Sequence, residues 1–271
     1  MTMNTVDFLC SQWRLSNLES GDTILIHSSL RNLSKYLYKN GYKLKIEDIF
    51  TSFQKAVGSN GTLLFPLFNF EFCKTKTFDI KNTKSHMGSL SEFARKFPNS
   101  IRTGHPIYSF AVIGKNSHYF EDLDNISGYG SDSPFALLKD LDGKIGILGL
   151  EDQNSMTFYH YVEESLKVDY RYFKEFTGDY INEQGIKKNK TYKLFVRDIE
   201  RGVKTRVNPM GDLLWNKGIY KGFKYNEPNF FRTIRARELF LETADIINNN
   251  LALDYLYTQN NEKELREDYE F

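Results

Sequence analysis

Apolar positions along this chain fall into two textures. In the N-terminal part, short unbroken apolar runs alternate with segments of helical period. Thr23-Ile-Leu-Ile-His27, set off by the Gly21-Asp22 turn, reads as a buried β-strand, and so do residues 62–66, 109–113 and 144–150. Between them, residues 3–13 place Val6, Leu9, Cys10 and Trp13 on one helical face. Residues 46–57 do the same with Ile46, Ile49, Phe50, Phe53 and Val57, and a further helix over residues 89–97 stops before Pro98. Alternation of helices with continuous apolar strands predicts an α/β fold with a mainly parallel central sheet flanked by helices.

Beyond Lys167 the period shortens to two. Residues 170–177 and 191–197 alternate apolar and polar positions around Asn182-Glu-Gln-Gly185, which predicts an antiparallel β extension over about 168–210 in the C-terminal third. Residues 235–248 then read as a helix with Leu239, Phe240, Ala244 and Ile247 in one stripe, and the charged tail 260–271 is expected to fray. No repeat or low-complexity linker divides the chain, so one domain over residues 1–271 is the simplest organisation.

Composition narrows the class. With 26% charged residues and a formal net charge of +1, the chain carries no basic block of nucleic-acid type. The densest cluster, Lys187, Lys188, Lys190 and Lys193, reads as the solvated face of a hairpin. Two cysteines, Cys10 and Cys73, give neither a disulfide framework nor a zinc spacing and fit a reducing compartment. No signal-peptide pattern and no run near ~18 apolar residues is present, so a cytoplasmic protein without membrane insertion is expected.

The stretch richest in chemistry follows the last buried run. Lys144-Ile-Gly-Ile-Leu-Gly-Leu150 leads into the polar turn Glu151-Asp-Gln-Asn-Ser155, then into a helix-like segment with His160 and, three residues on, Glu163. In an open α/β sheet, ligands sit in the loops after strands. Residues i and i+3 share a helical face, and a carboxylate beside an imidazole fixes the tautomer that a general base needs. Spacing alone is equally compatible with a surface pair. Two further pieces stand out: His27-Ser28-Ser29-Leu30-Arg31, a strand-to-helix turn able to cradle phosphate oxygens, and Arg102-Thr-Gly-His105-Pro106-Ile-Tyr-Ser109. Read singly, the first is also an ordinary polar turn and the second a structural histidine before proline. P-loop, dinucleotide, zincin and nucleophile-elbow signatures are missing.

Together these pieces resemble the aminoglycoside 3-N-acetyltransferase family. Gly21 to Leu30 looks like its first strand and pantetheine-binding turn, and Gly61-Thr-Leu-Leu-Phe-Pro66 like its second strand. Met87-Gly88 through Glu92 and Arg95, then Pro98, Arg102, His105-Pro106 and Ser109, resemble its central signature. Gly130-Ser-Asp-Ser133-Pro134 with Leu138 and finally Thr157-Phe-Tyr-His160-Tyr-Val-Glu163 complete the order; the C-terminal third matches less clearly, apart from Met210-Gly-Asp-Leu213 and the last helix. The resemblance implies a single acetyltransferase domain that transfers an acetyl group from acetyl-CoA, its co-substrate, to a primary amine of a small-molecule amino sugar, without a metal. It implies His160 as base and Glu163 as its orienting carboxylate. Ser28, Ser29, Leu30 and Arg31, with Ser109 nearby, would hold the coenzyme, and Asp152 and Glu164 would contact the substrate. Donors for the oxyanion are expected from the Ser28-Ser29-Leu30 turn or near Thr157, and a covalent route through Cys73 or Cys10 is disfavoured.

Aminoglycosides carry several positive charges, whereas the C-terminal part of this chain is rich in Lys and Arg, including Arg201, Arg232 and Arg235. That balance favours an anionic or neutral acceptor, a nucleotide-linked amino sugar for surface polysaccharide, with an aminoglycoside as the alternative. Aromatics such as Trp215 and Tyr225 could stack on a ring of either, or simply pack. An amide or ester hydrolase and a non-catalytic carbohydrate-binding protein remain as competing readings.

Overall fold

A computed structural model describes residues 4–227 and 230–259; the tail from 260 lies outside the described residues. The chain opens with α1 (Thr5–Leu15), β1 (Thr23–Ser28), α2 (Leu30–Lys39), α3 (Ile46–Val57) and β2 (Thr62–Pro66). It continues through α4 (Phe72–Thr75), β3 (Thr77–Asp79), α5 (Ser89–Lys96), β4 (Ile101–Arg102), β5 (Phe110–Gly114), α6 (Pro134–Asp140), β6 (Lys144–Leu148) and α7 (Phe158–Ser165). The C-terminal part holds β7 (Arg171–Ile181), β8 (Lys187–Arg197), β9 (Val203–Thr205), α8 (Asn208–Asn216), β10 (Lys221–Gly222), β11 (Phe231–Arg235), α9 (Ala236–Asn248), α10 (Ala252–Tyr255) and β12 (Tyr257–Gln259).

The central sheet has seven strands in the order β10-β11-β6-β1-β2-β5-β4. Its middle is parallel, with β1 between β6 and β2, and the strands added on either side run antiparallel. The parallel strands are buried on both faces, and the pleat divides their side chains between two layers. Ile24, Ile26, Leu63 and Phe65 meet α1, α3 and α5, while Leu25, Leu64, Ile145 and Ile147 face the layer of α6, α7 and α9. In the first layer Trp13 stacks on Phe53, with centroids 4.6 Å apart, and donates its indole N–H to Ser52 Oγ at 2.7 Å. No described helix is long and apolar enough to cross a membrane.

The antiparallel extension is the β7–β8 hairpin, paired along its whole length. Its outer edge recruits β3, which runs parallel to β7 from much earlier in the chain. Several bounds differ from those read in the sequence. The run from Lys144 leaves the sheet at Leu148 because Gly149 turns at φ +67°. Arg235 closes β11 instead of opening a helix, Phe110 rather than Ser109 opens β5, and α2, α6 and β11 are additional elements.

Candidate active site

The site is built where β6 and β1 end side by side. Ser28 pairs with Leu148 across the parallel ladder, and Ser29 N–H donates to Leu148 O at 2.8 Å. Gly149 must follow: a Cβ there would lie 2.7 Å from Ser29 O, and its positive φ disfavours any other residue. The polar turn then carries the chain into α7, which presents His160 and Glu163 on one face. Glu163 is 1% exposed and His160 19% exposed by side chain.

His160 Nδ1 lies 2.7 Å from Glu163 Oε2. Arg171, from β7, brings Nε to 2.7 Å of the same oxygen as an ion pair, without the alignment of a hydrogen bond. Its other nitrogens are held by Phe195 O at 3.1 Å and Thr205 Oγ1 at 3.4 Å. Burial works to raise the Glu163 carboxyl, but Arg171 and then His160 hold it below the usual carboxylate range. Burial lowers the His160 pKa, Arg171 lowers it further, and the Glu163 carboxylate opposes both; the net direction is down. An ionised Glu163 therefore accepts a hydrogen bond from Nδ1–H of a neutral imidazole, and Nε2 is the nitrogen available to a substrate. Tyr129 meets the ring edge-on, centroids 5.4 Å apart.

His160 lines a cleft of about 180 Å³ whose walls include Phe68, Tyr108 and Met156 on the apolar side and Asn154, Thr157 and Thr205 on the polar side. A second hollow of about 160 Å³ adjoins it through Asp152 and is lined by Glu151, Asp212, Trp215, Lys224 and Tyr225.

The other candidates from the sequence distribute unevenly. Ser28, Ser29 and Leu30 are half-buried and Arg31 is exposed at the start of α2; Ser29 makes no side-chain cap bond, and no acidic residue sits in that helix's first turn. The first-turn N–H groups at such a helix opening lack helical partners. Two expected oxyanion donors are already committed, Ser29 N–H to Leu148 O and Thr157 N–H to Ser155 O at 2.9 Å. Ser109 is not at a ligand surface: it is fully buried, with its hydroxyl 3.2 Å from Arg102 Nε, because its side chain points into the protein beneath β4. Glu164 is half-buried and accepts from Ser127 Oγ at 2.7 Å. Asp152 lines both hollows, yet its carboxylate is bonded to Tyr159, Tyr220 and Arg232.

His105 is a structural histidine. Its Nδ1 accepts from Ile107 and Tyr108 N–H at 3.2 and 3.0 Å, and burial pushes its pKa down to about 3. Cys10 is buried in α1; burial pushes the half-buried Cys73 thiol up, away from a reactive thiolate. Among the described residues, no three His, Cys, Asp or Glu side chains gather as a metal ion would require. Arg171 is the member of the site that sequence reasoning missed, since nothing in its spacing from Glu163 marks a contact made across a turn.

Comparison with known proteins identifies the family and the fold. The sequence matches the family described as aminoglycoside 3-N-acetyltransferase over residues 25–247. It is 25% identical over 169 residues to the SPbeta prophage-derived aminoglycoside N(3')-acetyltransferase-like protein YokD of Bacillus subtilis (strain 168), covering 54% of this chain and 60% of that protein. It is 28% identical over 153 residues to aminoglycoside N(3)-acetyltransferase IV of Salmonella sp, covering 55% of each. The matches thus span little more than half the length of these curated relatives. Among solved structures, aminoglycoside acetyltransferase AAC(3)-Xa superposes with a TM-score of 0.75 at 21% identity, over 91% of this chain and 93% of that one. AAC-IIIb with CoASH gives 0.73 at 19% identity, over 92% and 97%. AAC-VIa bound to sisomicin gives 0.72 at 18% identity, over 92% and 99%. At these identities the structural likeness establishes a shared fold, and the family match establishes kinship: the chain belongs to the aminoglycoside 3-N-acetyltransferase family.

Proposed function

We propose that this protein transfers an acetyl group from acetyl-CoA to a primary amine of a cationic amino sugar of the aminoglycoside type, with His160 as general base. The observation that carries the reading is the His160–Glu163 hydrogen bond at the cleft, with Nε2 left for the acceptor. A sugar amine is mostly protonated near neutral pH and must lose a proton as it becomes a nucleophile. A neutral imidazole accepts that proton, and buried Glu163 steadies the imidazolium that results; help of this kind is worth on the order of 10²–10⁴ in rate. Acetyl-CoA would supply the acetyl group activated as a thioester. The Ser28–Arg31 turn would bind its phosphates, with Ser29 Oγ and the first-turn N–H groups of α2 as donors; the uncapped start of α2 and the lack of an acidic residue in its first turn support this. A metal is not called for, because both the acid–base group and the activated acyl group are accounted for.

The acceptor assignment reverses the one drawn from chain charge. Part of the basic charge of the C-terminal third is paired locally: Lys187 pairs with Asp179, Lys190 with Asp124, Arg201 with Asp169 and Arg232 with Asp152. The hollow beside the cleft presents Glu151 and Asp212 beside the Asp152–Arg232 ion pair, with Trp215 as an apolar wall and Lys224 as a further basic side chain. That chemistry suits a polycation better than a nucleotide, and family membership and the relatives named above favour the same acceptor. The test is coenzyme A release across a panel of aminoglycosides and nucleotide-linked amino sugars. Release with aminoglycosides is expected; release with nucleotide-linked sugars alone would contradict the acceptor class.

A further inference from the structure

Asp152 stands at the start of the turn leading to α7 and is 5% exposed. Its Oδ2 accepts from the hydroxyls of Tyr159 and Tyr220, both at 2.7 Å, and its Oδ1 from Arg232 Nη2 at 2.8 Å. The three donors come from three places: α7, the segment before β10, and β11. Arg232 is itself 2% exposed, reaches Leu150 O through Nη1 at 2.7 Å and lies over the Tyr220 ring at 5.1 Å. On the remaining side, a Cβ on Gly211 of α8 would come within 2.6 Å of the Asp152 carboxyl carbon, so that helix carries glycine where the carboxylate sits.

A carboxylate engaged by three donors has little acceptor capacity left for a substrate ammonium. Burying an ion pair is also costly, and a well-packed apolar cluster often serves stability as well or better. What the network does achieve is placement. Arg232 grips both Leu150 and Asp152, and Tyr159 precedes His160 directly, so both ends of the segment from β6 to the base are tied to one buried charge.

We propose that Asp152 is a positioning residue for the base: with Arg232, Tyr220 and Tyr159 it fixes the turn after β6 and the first turn of α7, and thereby the place of the His160 imidazole. This rests on the reading of His160 given above.

The test uses two variants of the full chain. Asp152→Asn removes the charge at constant shape. Tyr159→Phe removes one hydroxyl and no charge, and keeps the test decisive should the first variant fail to fold. Misplacing a reacting group by an ångström can cost on the order of 10²-fold. The expected result is a kcat at least about tenfold lower in either variant, with KM for acetyl-CoA and for an aminoglycoside within about twofold. A second readout needs no turnover: NMR titration of the His160 imidazole in the ligand-free protein. The groups facing that ring, Glu163 on α7, Arg171 on β7, Arg197 on β8 and Tyr129, are untouched in Tyr159→Phe, so a moved His160 signal there reports moved geometry. A raised acceptor KM at unchanged kcat would overturn the proposal in favour of a substrate contact. A lowered melting temperature with kcat and the His160 titration both unchanged would overturn it in favour of a merely structural role. If no acceptor is turned over, the proposed function fails on that ground, while the His160 signal still decides the positioning role: shifted supports it, unshifted rejects it.

Discussion

Glu163 is shared between a base and a cation, and that sharing sets the chemistry of the dyad. Arg171 keeps the carboxylate ionised and works against a proton on His160, whereas Glu163 works for one. At neutral pH the imidazole is therefore already a base. The kcat/KM profile should lose activity as pH falls through an apparent pKa below the ordinary histidine value of about 6.5. Glu163→Gln removes the influence that raises the His160 pKa, so the acid limb should move to still lower pH while kcat drops because the tautomer is no longer held. A pH–rate series on both proteins checks this, and an acid limb that rises in the variant would contradict it. At this scale the sequence was readable where chemistry and spacing coincide: His160 and Glu163 sit at i and i+3, and the motif order singled them out. Arg171 was not readable, because its contact depends on how β7 folds back past α7. Ser109 was readable as part of a motif but not as to role, since only the fold turns its hydroxyl toward Arg102.

Among the elements, the parallel strands announced themselves because burial on both faces demands unbroken apolar runs. β11 did not: its Phe-Arg-Thr-Ile-Arg sequence buries Arg232 and Thr233 through partners supplied by distant segments, Asp152 for the first and Ser16 O for the second. α2 was hidden for another reason. Leu30, Leu33 and Leu37 recur in it at helical spacing, but it starts on Ser29 without a side-chain cap, so nothing local marks its beginning. The close approach of the β1 and β6 turns is likewise a tertiary fact. It carries its own prediction: Gly149→Ala places a side chain at φ +67° and against Ser29 O, so it should cost at least about 1–2 kcal/mol. Urea denaturation measures this, and an unchanged midpoint would mean that the two turns are not locked together.

At the scale of the molecule, net charge was a poor guide to the site. The near-neutral total conceals ion pairs that engage some basic residues of the C-terminal third and a hollow beside the cleft with three carboxylates, Glu151, Asp152 and Asp212, in its wall. The α/β architecture and the β extension followed from periodicity, whereas the antiparallel flanks of the sheet required the topology. The central claim is that the fold brings a coenzyme turn and a histidine base to one end of the parallel strands for acetyl transfer. It is tested most directly by comparing wild type with His160→Ala for both acetyl-CoA binding and coenzyme A release with an aminoglycoside. Acetyl-CoA should raise the melting temperature of both proteins alike, while release in the variant falls by on the order of 10²–10⁴. Release within a few-fold of wild type, at equal coenzyme binding, would contradict it.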